Sequence, residues 1–376
     1  VDHHLRNKVR FMGCCRDFDP ASYFDRKEQR RLDRFCQLAT AAADMALADA
    51  GIAPEEEKDR GSLGIIIASG IGGIGEIHEQ TGRLHARGPR RVSPHFVPKM
   101  MINAASGNLA SRYGITGLNF ATTSACASSS HALAVASAFI RLGYADLIIA
   151  GGSEAATNPL GLAAFCAARA LSTRNDEPER ASRPFDKNRD GFVLGEGAGV
   201  VILEELSRAK ARGAKVYAEL AGCGMTDDAH HVTAPLPDGA GAAAAMQKAL
   251  QDAALAPEDI QHIVAHGTST PLGDVAETKA IWSVFGEHAQ NLAVTATKSQ
   301  IGHLLGAAGV IGIVTASLAI EHSVAPPTIN YETEDPDCNI DCVPNEPRPL
   351  AVSASLTNAL GFGGHNVSLA LRRFTG

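Results

Sequence analysis

Short, continuous apolar runs alternate with helical segments along both halves of this chain of 376 residues. Leu63–Gly70 and Asp146–Gly151 are typical of strands that are buried on both faces. Ile260–Ala265, Leu292–Thr295 and Ser353–Leu356 repeat that pattern in the second half. The alternation predicts a layered α/β architecture, and a chain of this length can bury a substantial core.

Apolar residues at helical spacing and alanine-rich segments predict the helices between these strands. These helices cover residues 26–50, 98–113, 128–141, 160–170, 239–254, 274–285 and a long segment after His303 that ends near His322. A strand, a turn of small residues and a helix follow one another at Cys126 and again at 298–303. This repetition hints at an internal duplication.

Cys126 lies in the turn between a short predicted strand, Leu118–Thr122, and the helix that begins at about Ser128. The N-terminus of a helix offers free backbone N–H groups and the positive end of the helix dipole. Both favour the thiolate form, which is the nucleophile. A buried structural cysteine is the alternative interpretation for an isolated residue of this kind, and it is the rest of the chain that favours a nucleophile.

Three further loops carry polar side chains at predicted strand ends, where open α/β sheets build their sites. They are residues 265–271, 297–303 and 361–366, and the first two carry His266 and His303. A thiolate can attack a carbonyl to give an acyl-enzyme, and two neutral imidazoles can donate hydrogen bonds to an oxyanion. Lys298 would bias the pKa values of these groups.

Other interpretations of these residues are weaker. A single histidine is more often a hydrogen-bonded structural residue than a catalyst. A metal site of Cys126, His266 and His303 lacks the local spacing of zinc ligands, and the local cysteine signature of a papain-like protease is absent.

Two motifs imitate known ligand sites. Gly70–Gly75 matches the G-x-G-x-x-G dinucleotide fingerprint, but the acidic residue expected some twenty positions later is missing. Asp186–Gly191 imitates the first half of a calcium loop, but position 197, where the closing glutamate belongs, is Gly197. We expect a glycine loop that permits a close approach and a polar turn, respectively.

Composition limits the classes of function. A net charge of −7 argues against nucleic acid as the main partner. No apolar run reaches the roughly eighteen residues that a membrane-spanning helix needs. The eight cysteines form no C-x-x-C pair, which favours reduced thiols in a reducing compartment. The chain begins at Val1 and shows no signal or transit pattern.

The four loops together resemble the β-ketoacyl-acyl-carrier-protein synthases of the I/II type, with synthase II the closest. The resemblance is carried by TSACASSS around Cys126, AHGTSTPLGD at 265–274, TKSQIGHLLGAAG at 297–309 and GFGGHN at 361–366. The segments 88–98 and 171–199 support it. The likeness spans nearly the whole chain, and four such motifs in this order are highly specific.

This resemblance implies a thiolase-like fold, with two similar halves in a five-layered αβαβα arrangement. The N-terminal half, 1–210, would carry the nucleophilic cysteine, and the C-terminal half, 211–376, would carry the two histidines and the lysine. It further implies a homodimer whose partner is acyl carrier protein. No cofactor or metal is expected beyond the phosphopantetheine arm of the carrier. The location would be the bacterial cytoplasm, or the plastid or mitochondrial matrix in a eukaryote.

The resemblance also implies roles for individual residues. Cys126 would take an acyl chain from the carrier, and the carbanion formed from malonyl-carrier protein would attack it. His266 and His303 would support decarboxylation, and Lys298 would tune them. The backbone N–H groups of Cys126 and Phe362 would form an oxyanion hole. In addition, Phe362 would gate the acyl pocket, Ile71 and Phe165 would line it, and Thr268 and Thr270 would meet the phosphopantetheine arm.

The chain departs from the family pattern at three places. The N-terminal strand with its T-G-x-G turn has no match. Gly312 stands where the family has an acidic partner for the lysine, so we expect weaker condensation or a compensating acid elsewhere. Leu360 replaces an aromatic residue beside the gate. A polyketide ketosynthase, or a non-catalytic ketosynthase-like partner, is the alternative function, although such partners lose the cysteine.

Overall fold

The computed structural model of this protein describes residues 7–376. The helices are α1 (Arg26–Arg31), α2 (Arg34–Ala50), α3 (Ile74–Arg87), α4 (Phe96–Met100), α5 (Ala104–Tyr113), α6 (Ser128–Arg141), α7 (Pro159–Ala167), α8 (Leu206–Ala211), α9 (Ala240–Ala253), α10 (Pro271–Phe285), α11 (Lys298–Ile301) and α12 (Ala308–His322). The strands are β1 (Leu63–Ala68), β2 (Asn119–Phe120), β3 (Leu147–Glu154), β4 (Gly197–Glu204), β5 (Glu219–Asp227), β6 (His262–Val264), β7 (Ala293–Thr295), β8 (Val324–Ala325), β9 (Arg348–Pro349), β10 (Ala354–Gly361) and β11 (His365–Arg372).

Two mixed sheets share one topology. The first has the order β2-β1-β3-β4, and the second has the order β5-β11-β10-β6-β7. In the first, β1 is parallel to both β2 and β3, whereas β4 is antiparallel to β3. In the second, β6 is likewise parallel to β7 and β10, and β11 is antiparallel to β10. The two halves of the chain are therefore built alike, as the sequence hinted.

The two sheets differ at one edge. Strand β5 pairs with β11 in the second sheet. Within residues 7–376, no strand pairs with the equivalent free edge of β4.

The layers follow the expected αβαβα order. Helices α2 and α5 cover the outer face of the first sheet, and α9 with α10 covers the outer face of the second. Helices α6 and α12 lie between the sheets and contact both of them. Because they are covered on all sides, these two central helices are built mainly from small and apolar residues.

The segment Leu305–His322, which includes α12, is apolar and long enough to pass for a membrane span by composition. Its place in the fold gives a simpler reason for its composition. More than half of it, 56%, is buried inside the protein, where it packs between the two sheets. The sequence analysis expected no apolar stretch of this length, and that expectation was wrong. The helix is part of the protein core.

Two predicted helices are each divided in two. The predicted helix 26–50 breaks at Leu32, which is extended, and Asp33 then caps α2 through the backbone N–H of Phe35. The predicted helix 98–113 breaks after Met100, whose carbonyl accepts the N–H of Gly73 instead of a helical bond. Strands β5 and β11 were missed by the sequence analysis.

The two decoy motifs have structural roles. A Cβ atom on Gly73 would lie 2.6 Å from the carbonyl oxygen of Lys99, so the glycine loop allows α4 to approach. The carboxylate of Asp186 is occupied by Arg183 and by the backbone N–H groups of Asn188, Glu332 and Thr333. All eight cysteines are free thiols, as predicted.

Candidate active site

One cavity of about 110 Å³ lies where the loops after β2, β6, β7 and β10 meet. Seven of the nine predicted site residues line it, namely Cys126, Phe165, His266, Thr268, Thr270, His303 and Phe362. The other two lie just outside the lining. Lys298 donates a hydrogen bond from Nζ to the backbone oxygen of His266. Ile71 packs against the apolar cluster that contains Cys126.

The turn that presents Cys126 is held by its own small residues. Ala125 adopts a left-handed conformation with φ of 49°, which is unusual for a residue other than glycine. The hydroxyl of Ser128 accepts the N–H of Ser124 at 2.8 Å and donates to the carbonyl of Ala125 at 2.6 Å. This arrangement fixes the cysteine just before the first turn of α6.

The side chain of His303 contacts the sulphur of the nucleophile. Its Nε2 lies 3.0 Å from Sγ of Cys126. The backbone N–H of Leu305 donates to Nδ1 of the same ring at 3.3 Å. Because Nδ1 accepts, the ring hydrogen lies on Nε2 and faces the sulphur. This side chain therefore presents a donor to the reaction centre.

His266 lies beside His303, with ring centroids 5.4 Å apart and planes at 85°. Its Nδ1 is buried and has no hydrogen-bond partner among residues 7–376. Its backbone N–H donates to Glu277 at 2.8 Å, as does that of Gly267. A buried nitrogen without a partner costs free energy, and the residue lines the cavity together with Cys126 and His303.

Both imidazoles are neutral at physiological pH. Burial lowers the pKa of His303 well below its usual value, and the positive charge of Lys298 adds to the effect. The pKa of His266 is lowered in the same way, with a further contribution from His303. Neutral rings keep one N–H donor each, which is the form that can stabilise a developing oxyanion.

The thiol of Cys126 does not match the sequence-based expectation of a favoured thiolate. Burial raises its pKa to about 11, which outweighs the opposing effects. Lys298 and the backbone N–H groups of Phe362 and Cys126 all lower the pKa, but less than burial raises it. The resting side chain is therefore a neutral thiol surrounded by groups that stabilise negative charge on its sulphur.

The charge of Glu277 acts on Lys298, whose ammonium itself donates to the backbone oxygen of His266. Burial lowers the pKa of Lys298 to about 8, and Glu277 is the largest of the influences that raise it again. Glu277 is itself buried, with 1% exposure. Its charge raises the pKa of Lys298 more than that of any other group, and it lies on α10 one turn after Asp274. That spacing on one helix face was the signal that could have identified it.

The loop after β10 closes one side of the cavity, and a second loop that the sequence analysis missed supports it. The N–H of Gly363 donates to Val232 at 2.7 Å, and that of Asp228 donates to Gly364 at 2.9 Å. Asn366 donates to the carboxylate of Asp228 at 2.7 Å. Residues 231–236 also line the cavity. The side chain of Phe362 is 37% exposed, at the boundary between cavity and solvent.

Two further residues were missed. Phe192 lines the cavity and contacts the ring of His303 edge-on at 5.1 Å. Glu154, fully buried at the end of β3, accepts N–H groups from Gly70 at 2.8 Å and Gly306 at 3.0 Å. It therefore ties the loop after β1 to the loop after His303. Neither Phe192 nor Glu154 lies in a sequence motif from which its role could be predicted.

The residues Cys126, His266 and His303 also form the kind of set that binds zinc. One ligand atom of each lies within 4.8 Å of the others. The positive charge of Lys298, which acts on all three groups, opposes a divalent cation there. We therefore assign no step of the chemistry to a metal, and its expected absence stays a prediction.

Comparison with sequence families agrees with this geometry. The profile of the β-ketoacyl synthase N-terminal domain matches residues 3–209, and that of the C-terminal domain matches residues 217–332. A relative from Synechocystis sp., named 3-oxoacyl-[acyl-carrier-protein] synthase 2, is 50% identical over 97% of this chain and 88% of its own. A Staphylococcus aureus protein of the same name is 46% identical over 97% of this chain and 88% of its own.

Solved structures are similar over the same extent. A β-ketoacyl synthase from Burkholderia phymatum is 36% identical, with a TM-score of 0.91 over 98% of this chain and 89% of its own. A ketosynthase from a type II polyketide synthase, solved with its acyl carrier protein, is 34% identical. Its TM-score is 0.92, over 99% of this chain and 90% of that one. Cavity, side chains and comparisons therefore agree on one family.

Proposed function

This chain belongs to the β-ketoacyl synthase family, and from that premise we propose how its residues carry out the reaction. Relatives named 3-oxoacyl-[acyl-carrier-protein] synthase 2 are 46–50% identical to it over nearly its full length. The chain is accordingly a condensing acyltransferase of fatty-acid elongation. The observation that supports the proposed mechanism best is the 3.0 Å contact between Sγ of Cys126 and Nε2 of His303.

The first step loads the enzyme. Cys126 attacks the thioester carbonyl of an acyl carrier protein, and the acyl chain moves to its sulphur. The leaving phosphopantetheine thiolate takes up the proton that Cys126 gives up. Lys298 and the N–H groups around Cys126 stabilise the thiolate as it forms, which offsets the pKa that burial has raised.

The second step decarboxylates the extender. Malonyl-carrier protein binds with its thioester oxygen between His266 and His303, whose neutral rings donate N–H groups to it. Loss of CO₂ leaves an enolate with its charge on that oxygen. Burial keeps the imidazole of His266 neutral, and this supports the role because a neutral ring retains one N–H donor.

The third step forms the new carbon–carbon bond. The enolate carbon attacks the acyl carbonyl on Cys126, and the backbone N–H groups of Cys126 and Phe362 hold the resulting oxyanion. Collapse of this intermediate expels the cysteine thiolate and releases 3-oxoacyl-carrier protein. Phe165 and Ile71 border the acyl chain, Phe362 gates it, and Thr268 and Thr270 meet the phosphopantetheine arm.

Acyl carrier protein is the partner that this chemistry requires. A similar ketosynthase was solved in complex with its carrier protein. We further propose that the enzyme is a homodimer, because β2, next to the turn of Cys126, is a short edge strand that pairs only with β1 within residues 7–376. Leu142 and Tyr144, at 70% and 67% exposure, add apolar surface. We also propose that the phosphopantetheine arm of the carrier is the only cofactor needed.

Free cysteines and bacterial relatives favour a reducing location. We propose the cytoplasm of a bacterium, or the plastid or mitochondrial matrix in a eukaryote.

A polyketide ketosynthase is the second candidate, because similar structures at 34% identity belong to polyketide systems. The higher identity to the named fatty-acid enzymes favours elongation. The retained Cys126 argues against a non-catalytic partner.

Intact mass measurement after incubation with acyl-carrier protein tests the proposal. We expect one acyl adduct on the wild type and none on Cys126→Ala. His303→Ala should still accept an acyl chain but decarboxylate malonyl-carrier protein slowly. Folded wild-type protein that forms no adduct, or an adduct that persists in Cys126→Ala, would contradict the proposed nucleophile.

A further inference from the structure

The loop that carries Thr268 and Thr270 lies in a strained conformation that it cannot hold alone. Ser269 is fully buried and has φ of +67°, in the left-handed region. Such strain persists only where the surroundings fix the backbone. The hydroxyls of the two threonines lie 3.0 Å apart and both residues line the cavity. Their positions therefore depend on what holds the loop from behind.

The support comes from one stretch, residues 183–191, which we call the 183–191 segment. The N–H of Arg183 donates to the hydroxyl of Ser269 at 3.0 Å, and that of Gly191 donates to the carbonyl of Ser269 at 3.0 Å. The N–H of Phe185 donates to Asp274 at 2.8 Å. The segment thus touches the loop and the first turn of α10.

Arg189 makes the side-chain part of this support. Its Nε donates to the carbonyl of Thr270 at 3.2 Å, and Nη2 donates to that of Pro271 at 2.9 Å. Nη1 is held by the carbonyl of Asp186 at 2.8 Å and the carboxylate of Asp335 at 2.6 Å. A planar guanidinium with this many fixed partners is a rigid bracket, which a lysine cannot reproduce.

The location of Arg189 argues against a role in stabilising the helix. The guanidinium lies at the N-terminal turn of α10, where the helix dipole disfavours a positive charge. The side chain is only 4% exposed, and burying a charge is costly unless it is paired. Carboxylates of Asp335 and Asp274, the latter at 3.6 Å, compensate for the charge. Because these costs do not serve the helix, we relate Arg189 to the loop that carries Thr268 and Thr270.

The loop is also tightly packed around the side chain of Thr270. A Cβ atom on Gly273 would lie 2.5 Å from Oγ1 of Thr270. The threonine hydroxyl is therefore enclosed by the helix on one side and by its partner, Thr268, on the other.

We propose that Arg189 is a positioning residue that sets the two threonine hydroxyls for the amide groups of the phosphopantetheine arm. It touches neither the substrate nor the reacting atoms, and it acts through the backbone of Thr270 and Pro271. The inference rests on the proposed function, because it gives the threonines the arm as their ligand. Substrates that carry the arm depend on Arg189, and substrates without it do not.

Steady-state kinetics with Arg189→Lys and Arg189→Gln test this proposal. With malonyl-carrier and acyl-carrier substrates, we expect KM to rise by roughly 10- to 100-fold, the loss of one or two hydrogen bonds, with a smaller change in kcat. An aryl thioester of the same acyl chain lacks the arm and makes none of those hydrogen bonds. The rate at which it acylates Cys126 in the variants should therefore stay within about 2-fold of the wild-type rate.

A double-mutant cycle shows whether the effect passes through the threonines. In a Thr268→Val/Thr270→Val background, Arg189→Gln should add less than about a 2-fold further change. Arg208→Gln is the matched control, because Arg208 pairs with Glu57 and Glu204 far from the loop in sequence. It should alter neither KM nor the dependence on the arm.

Equal losses with and without the arm, or effects that multiply in the double mutant, would overturn the proposal. Thermal melting of each variant separates misfolding from misplacement, and Arg189→Lys provides a milder variant if Arg189→Gln unfolds. Wild-type protein that condenses neither substrate would refute the proposed function instead, before any variant is compared.

Discussion

The charge of Lys298 depends on two opposing effects, burial and the carboxylate of Glu277. Burial lowers its pKa to about 8, and Glu277 limits the decrease. Since Lys298 also lowers the pKa of Cys126 and of both histidines, its charge reaches every group at the reaction centre. The ammonium of Lys298 therefore acts on the nucleophile and on both imidazoles, although burial shifts each of their pKa values most.

Condensation should slow as the pH rises through about 8, because Lys298 then loses the charge that stabilises the thiolate of Cys126. Glu277→Gln removes the negative charge and leaves one side-chain oxygen where two accept the N–H groups of His266 and Gly267. The pH at which the condensation rate of this variant falls should be about one unit lower than for wild type. The measurement is the condensation rate against pH. A slow, pH-independent rate is expected of Lys298→Met, and an unchanged profile for Glu277→Gln would exclude this account.

The substitution Gly312→Glu tests whether the active site needs a second acidic side chain near Lys298. A Cβ atom there would lie 3.4 Å from Thr357 and 3.8 Å from Val264, which is ordinary contact. Because the charge of Glu277 already raises the pKa of Lys298, we expect that Gly312→Glu does not increase the condensation rate. It buries a carboxylate beside an apolar side chain, so the free energy of unfolding should decrease by roughly 2 kcal/mol or more.

Chemical denaturation and condensation assays measure both effects. Gly312→Ala is the control, because it adds only the tolerated Cβ and improves helix propensity by about 1 kcal/mol. A folded Gly312→Glu enzyme that condenses faster than wild type would show that the glycine does weaken this protein.

At the scale of elements, β6 carries a buried histidine that the chemistry does not use. His262 is fully buried between the neighbouring strands β7 and β10. Its ring nitrogens bond the hydroxyls of Ser355 at 2.9 Å and Thr295 at 3.0 Å. Burial lowers its pKa to about 4. The ring is therefore a neutral link across three strands that end at the cavity.

Acid should weaken this link. Below a pH of about 6.5 the unfolded state binds a proton that folded His262 refuses until about pH 4, so this group lowers stability as the pH falls through that window. The full effect is about 3 kcal/mol. Asp33 and Asp274, whose pKa values burial raises to about 6, act with the opposite sign.

Comparing wild type with His262→Gln isolates the effect, because the other groups titrate in both proteins. The difference in free energy of unfolding between pH 7 and pH 4, from urea denaturation, should be smaller for His262→Gln. Parallel pH dependence in the two proteins would mean that His262 titrates normally in the fold.

For the whole molecule, the sequence predicted the architecture and most of the site. Alternation of apolar runs and helices predicted the layers, and the family resemblance implied nine site residues, seven of which share one cavity. What it could not predict depends on contacts far apart in the chain. The break after Met100 comes from Gly73, the carboxylate for Lys298 comes from α10, and the high pKa of Cys126 comes from burial by the assembled fold.

The two halves meet in one continuous core. The apolar cluster around α6 and α12 contains Ile66, Leu133 and Ile148 from the first half together with Val310, Ile313 and Leu369 from the second. The active site is divided in the same way, since Cys126 belongs to the first half and His266, Lys298 and His303 belong to the second. Neither half can bury its side of this core alone.

A protease site inserted in the exposed loop after α8, at 212–214, tests this unity. Cleavage there leaves the central core intact, so the two fragments should stay together in size-exclusion chromatography and keep about the condensation rate of uncut protein. In denaturant they should separate and lose activity together, because each exposes the face that the other covers. Uncut protein with the same insertion is the control. Fragments that part without denaturant would show two independent domains instead of one molecule built around a shared layer.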